Sequence, residues 1–164
     1  MSKSQTRTPA ATPATRFLSE AGISYRVAEY VFRAGTGDLA GDAAKAIGLA
    51  PERVFKTLMI EVDGDPACVV VPADRQVSMK QAAKAAGGKS AAMMDPLRAA
   101  QVTAYVKGGI SPFGQRRRSP VYLDSSALGF DEIAVNGGKR GLLVLVSPEA
   151  MVKVPDIAVA DLCS

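Results

Sequence analysis

The sequence predicts a single α+β domain, a mixed curved or barrel-like β-sheet flanked by short helices. Three observations predict it. Short runs rich in branched residues alternate with glycine- and aspartate-bearing turns, as in 54–62, 67–71 and 142–146. Short capped helical stretches lie between them without a regular βαβ repeat, which favours α+β over a doubly wound sheet. The chain has 164 residues, 48% of them hydrophobic and 22% charged, enough for one core of ordinary size.

Taken in order, residues 1–11 read as a flexible N-terminal segment and 12–164 as the domain. Thr12-Pro13 has the form of an N-cap followed by Pro at the first helical position, opening a helix that Gly22 stops after residue 21. Residues 24–30 alternate as a strand, 31–40 with Gly35 and Gly37 read as a loop, and 42–47 form a short helix ended by Gly48. Residues 54–62 and 67–71 make a hairpin around Asp63-Gly64. Ser78 caps a helix over 79–86 that Gly87-Gly88 ends, and Asp95-Pro96 opens another to about residue 101. After an irregular stretch, 103–120, strands are expected at 121–124, 132–135 and 142–146, with a turn at Asn136-Gly137-Gly138 and a last helix from Ser147-Pro148.

Composition narrows the chemistry. The chain contains no His, which excludes Ser-His-Asp and Cys-His catalysis and His-ligated zinc. Cys68 and Cys163 are far apart and have no ligand spacing, so neither a disulfide framework nor a metal site is expected, and no cofactor either. No run of about 18 apolar residues occurs, and the N-terminus lacks the apolar stretch of a secretory signal. A cytoplasmic protein without a membrane partner is expected. The net charge of +4 is modest, yet Lys107, Arg116, Arg117 and Arg118 fall in a stretch, 101–120, without one acidic residue. That stretch suits a polyanion or a solvated loop, and charge alone leaves both open.

Four motifs stand out. Gly35-Thr36-Gly37-Asp38-Leu39-Ala40 matches a dinucleotide fingerprint formally, but the strands after it read as a hairpin and not as a βαβ unit, so it is read as a glycine loop. Phe55-Lys56-Thr57-Leu58 places one Lys in an apolar strand, where it either reaches out to water or sets a fixed charge in a cleft. Lys107-Gly108-Gly109-Ile110-Ser111-Pro112-Phe113-Gly114-Gln115 has adjacent glycines that let a ligand approach the backbone, and its amides suit a carbonyl oxygen; a structural turn is the plain alternative. Gly137-Gly138-Lys139-Arg140-Gly141 lacks P-loop spacing and reads as a hairpin whose two cations meet either water or nucleic acid.

The last three motifs together, in this order and spacing, resemble the YbaK family of Cys-tRNA(Pro) deacylases, within the superfamily of prolyl-tRNA-synthetase-associated editing domains. The likeness runs from about residue 12 to 161. It implies a mixed barrel-like sheet flanked by helices, with Lys56 as the catalytic residue. It implies a substrate pocket that includes Tyr30 and the loop Gly108, Gly109, Ile110, Ser111 and Pro112. Arg116, Arg117, Arg118, Lys139 and Arg140 are the expected tRNA contacts. The chain departs from many members at 142–145, all apolar here, where they carry an acidic residue. The implied partner is aminoacyl-tRNA, above all tRNA(Pro), with prolyl-tRNA synthetase as a second partner and no DNA. The implied reaction is removal of cysteine by attack of the substrate's own thiol. Two readings stand beside it: water-dependent removal of alanine, and a non-catalytic tRNA-binding module.

Overall fold

The structure, a computed structural model, describes residues 10–34 and 37–164. Most of the lead-in expected over 1–11, and Gly35-Thr36 of the glycine loop, lie outside the described residues. Helix α1 (Pro13–Glu20) starts as its sequence requires: the Thr12 hydroxyl accepts from the Thr15 amide, and the Thr15 side chain returns a bond to the Thr12 backbone. Strand β1 (Tyr25–Glu29) follows.

Helix α2 (Leu39–Ile47) begins three residues before the expected start at 42. The Asp38 carboxylate accepts from the Gly41 amide at 3.0 Å. A Cβ at Gly41 would lie 2.1 Å from that carboxylate, so glycine leaves room for the cap.

Strands β2 (Phe55–Val62) and β3 (Asp65–Pro72) form the expected hairpin. Its turn residues Asp63 and Gly64 both take positive φ, 50° and 89°, as a tight twisted turn demands. Helix α3 (Met79–Ala85), strand β4 (Ala91–Met93), helix α4 (Pro96–Thr103) and strand β5 (Val121–Asp124) come next. Strands β6 (Ile133–Asn136) and β7 (Leu142–Val146), helix α5 (Pro148–Met151) and strand β8 (Ile157–Ala160) complete the chain. Neither β4 nor β8 was expected. Ala91–Met93 has no β-branched residue and becomes a strand only by pairing with β2, and Ile157–Ala160 only by pairing with β5.

Two sheets result, β1-β7-β6 and β4-β2-β3-β5-β8. The first is antiparallel; the second is mixed, with β3, β5 and β8 running parallel. Between them runs the main core, which includes Phe55, Met59, Val70, Phe113, Leu123, Val135 and Val144. The barrel-like expectation is met only in part, for the two sheets do not close into a barrel. Besides the shared core, an isolated bridge from Val54 to Ala134 links them. Strand β4 pairs only with residues 60–62 of β2, and its last link is the Met94 amide to the Met59 carbonyl. The edge of β2 ahead of Met59 is therefore left without a strand beside it.

Candidate active site

That open edge is one wall of a cleft of about 350 Å³. Because the strand is met edge-on, six consecutive residues, 54–59, line it. Lys56 is among them and is half-buried. Opposed to β2 are Tyr30, just past the end of β1, Asn136 at the end of β6, Leu143 of β7, and Gly108 and Ile110 of the glycine loop. The structure thus brings together Lys56, Tyr30, Gly108 and Ile110, which lie up to 80 positions apart in sequence. Among the described residues Lys56 forms no ion pair. Burial raises the Tyr30 phenol, opposed by a Gly141 backbone hydrogen bond, so it is a neutral hydroxyl at pH 7.

The glycine loop divides into two parts. Ser111, Pro112 and Phe113 are buried and structural. The Ser111 hydroxyl accepts from the Phe113 amide at 3.2 Å, and the Phe113 ring stacks on Phe17 with centroids 6.1 Å apart. Tyr105 donates its hydroxyl to the Phe113 carbonyl at 2.6 Å and locks the loop from below. Gly109 is buried as well, and its amide donates to the Val106 carbonyl at 2.8 Å, which commits it to the turn. The amides of Gly108 and Ile110 have no backbone acceptor among the described residues. Both residues line the cleft. Gly108 needs to be glycine twice over: its φ is 84°, and a Cβ would lie 2.9 Å from the Phe32 ring.

The cations fall in different places. Arg140 donates from Nε to the Lys107 carbonyl at 2.8 Å, beside the cleft, and Lys139 is exposed next to it. Arg117 and Arg118 line a separate depression with Val62 and Asp63, at the other end of β2. From Lys56 to Val62 is six strand residues, roughly 20 Å at 3.3 Å per residue. Arg118 is also paired with Asp156. Arg116 is exposed, its amide held by the Thr103 carbonyl at 3.0 Å.

Sequence reading missed Asn136. Its side-chain amide donates to the Gly108 carbonyl at 3.0 Å and its carbonyl accepts from the Gly138 amide at 2.6 Å, so it ties the two glycine motifs together. The only signal was its place at the head of Asn136-Gly137-Gly138, where it read as a turn residue. Met93 and Met94 also line the cleft and gave no signal. Among the described residues no group of His, Cys, Asp or Glu could hold a metal, and no helix is long and apolar enough to cross a membrane.

The enzyme's own thiols stand outside the cleft. Cys68 is fully buried, and burial pushes its thiol up to about 12. Burial, with Asp124 nearby, pushes Cys163 to about 11. Neither forms a thiolate near pH 7. A Cys68→Ala, Cys163→Ala double variant is expected to keep its rate per folded molecule; a covalent aminoacyl adduct trapped on either residue would contradict this.

Comparison with known proteins places this architecture. The family model described as an aminoacyl-tRNA editing domain matches residues 36–154. This chain belongs to the aminoacyl-tRNA editing domain family. Its relatives include EbsC of Enterococcus faecalis (strain ATCC 700802 / V583), provisionally named a Cys-tRNA(Pro)/Cys-tRNA(Cys) deacylase, 30% identical over 158 residues and covering 95% of both chains. YwhH of Bacillus subtilis (strain 168) is 30% identical over 110 residues, 66% of this chain and 69% of that one. A solved structure described provisionally as a trans-editing enzyme for prolyl tRNA synthetase superposes with a TM-score of 0.82 at 25% identity, over 96% of this chain and 99% of the other. The family match takes in every cleft residue of the editing domain named above except Tyr30, which precedes it.

Proposed function

We propose that this editing domain acts in trans, in the cytoplasm, to remove a wrongly attached amino acid from tRNA, and that its principal substrate is Cys-tRNA(Pro). The observation that carries the reading is the cleft itself. It offers the ammonium groups of Lys56 and Lys107 and the backbone amides of Gly108 and Ile110, its one carboxylate, Asp38, is engaged in capping α2, and no cysteine lines it. Such a site suits a substrate that brings its own nucleophile. EbsC, provisionally named a Cys-tRNA deacylase, supports the choice of cysteine.

The need for such an enzyme is thermodynamic. A pocket built for proline rejects a smaller apolar group by only about 1–3 kcal/mol, so a second site has to correct the error.

In the proposed step the cysteinyl sulfur, as thiolate, attacks the carbonyl carbon of its own ester. A carbon–sulfur bond forms, and the bond from that carbon to the ribose oxygen breaks. The ribose oxygen takes a proton, replacing the one the thiol gave to solvent, and cysteine leaves as a cyclic thiolactone. A thiol of pKa about 8.5 supplies an appreciable thiolate fraction at neutral pH. Holding it against the ester brings effective molarities on the order of 10⁵ M or more. Lys56 opposes the negative charge that develops, and the Gly108 and Ile110 amides receive the oxyanion. The test is the substrate in which the thiol is replaced by hydroxyl, Ser-tRNA(Pro). It should bind with similar affinity and be cleaved at least about 100-fold more slowly, and equal rates would point to attack by water instead.

The tRNA body has to leave the cleft along a basic path. Arg117 and Arg118 line the depression beside Val62, roughly 20 Å along β2 from Lys56, with Arg116 exposed next to them in sequence, where a phosphate backbone would pass once clear of the terminal nucleotide. Changing all three to Ser is expected to weaken binding of charged tRNA and to flatten its salt dependence by about 0.7 log units per lost contact, leaving turnover of bound substrate intact. Because Arg118 already pairs with Asp156, the expected loss is nearer two contacts than three. An unchanged salt slope would remove the arginines from the tRNA path. Prolyl-tRNA synthetase is the natural source of the mischarged substrate.

A further inference from the structure

We infer that Arg140 is a positioning residue that sets the orientation of the Gly108 amide, and that it does not act as a tRNA phosphate contact. The inference rests on the editing reading above. Two bonds from the 136–141 turn hold successive carbonyls of the glycine loop: Arg140 Nε donates to Lys107 O at 2.8 Å, and Asn136 Nδ2 donates to Gly108 O at 3.0 Å. In a trans peptide the carbonyl and the following N–H point opposite ways. Fixing the Lys107 carbonyl toward Arg140 therefore turns the Gly108 amide to the far side of that peptide plane. Fixing the Gly108 carbonyl toward Asn136 turns the Gly109 amide onto Val106, where it is found.

The guanidinium itself lies over an aromatic ring. Its carbon lies 5.0 Å from the centroid of the Phe32 ring, and the same ring packs on Gly108 so closely that no Cβ fits there. Gly109 backs onto the Lys139–Arg140 backbone, where a Cβ would meet main-chain atoms at 3.0 Å. Arg140 and Phe32 thus clamp the loop from outside the cleft, and neither lines it.

A charge-preserving variant separates the two roles. Lys keeps the positive charge and its long-range attraction to phosphate, but it has neither the Nε fork nor a planar face to stack. Arg140→Lys should lower kcat by about tenfold or more, with affinity for charged tRNA and its salt slope unchanged. Phe32→Leu should act in the same direction, since it removes the stacking platform. In both variants the Gly108 amide should shift its NMR resonance, while the Gly109 amide, set through the Gly108 carbonyl by Asn136, and the melting temperature stay near wild type. Wild-type kcat in Arg140→Lys, or a flattened salt slope in Arg140→Gln with kcat intact, would overturn the inference. If the wild type itself deacylates nothing, the editing reading fails. The clamp is still decided by the Gly108 amide resonance, and an unchanged one in Arg140→Lys refutes it independently.

Discussion

Lys56→Ala should fold as the wild type does and lose deacylation of Cys-tRNA(Pro) by roughly 10²–10³-fold, the range found when one preorganised group facing a developing oxyanion is removed. Folding should survive because Lys56 makes no ion pair among the described residues and its neighbours Phe55 and Met59 carry the burial of that strand. Removing the ammonium leaves no buried partner unpaired. Its effect should therefore fall on kcat, with the melting temperature moving by no more than a few degrees. Single-turnover deacylation beside thermal denaturation measures both. A near-wild-type rate would take Lys56 out of the mechanism.

Gly109→Ala should have an effect of similar size by a different route. The new methyl would meet the Lys139 Cα, the Lys139 carbonyl carbon and the Arg140 amide nitrogen at 3.0 to 3.1 Å. These are backbone atoms of a turn already held by Asn136 and Arg140, so neither side yields without moving the loop. A shift of about 1 Å at a positioning loop costs on the order of 100-fold in rate. Overpacking of this kind costs about 1–3 kcal/mol of stability. The variant should therefore melt lower as well as turn over more slowly, in contrast to Lys56→Ala. Full activity would show that the loop tolerates displacement and that its amides do not set the rate.

The contrast between these residues shows what the sequence could reveal. The β2–β3 hairpin was legible because Asp63-Gly64 and the branched runs around it state the turn and the strands locally. The caps at Thr12, Ser78, Asp95 and Ser147 were legible for the same reason. Strands β4 and β8 were not, since each exists only through pairing with a distant strand. The start of α2 was hidden because Asp38 stands inside what reads as a glycine loop.

Lys56 marks the boundary. From its strand pattern it reads first as a surface lysine, and its position in a cleft follows from β4 ending at Met93, a tertiary fact. The resemblance to the editing family supplied the expectation that pattern could not. The loop was expected to offer its amides to a carbonyl oxygen; that the Gly109 amide closes a turn, while those of Gly108 and Ile110 have no backbone acceptor among the described residues, follows from the loop's tertiary geometry. The side-chain clamp formed by Asn136 and Arg140 could not be read at all, because it depends on which carbonyl each side chain meets.

The most direct test of the central claim compares deacylation of Cys-tRNA(Pro) and Ala-tRNA(Pro) by the purified protein under single-turnover conditions. The account predicts rapid loss of cysteine with release of its thiolactone, and alanine left in place because it has no thiol to attack its own ester. Cleavage of Ala-tRNA(Pro) at an equal rate, or failure to cleave either substrate, would contradict it.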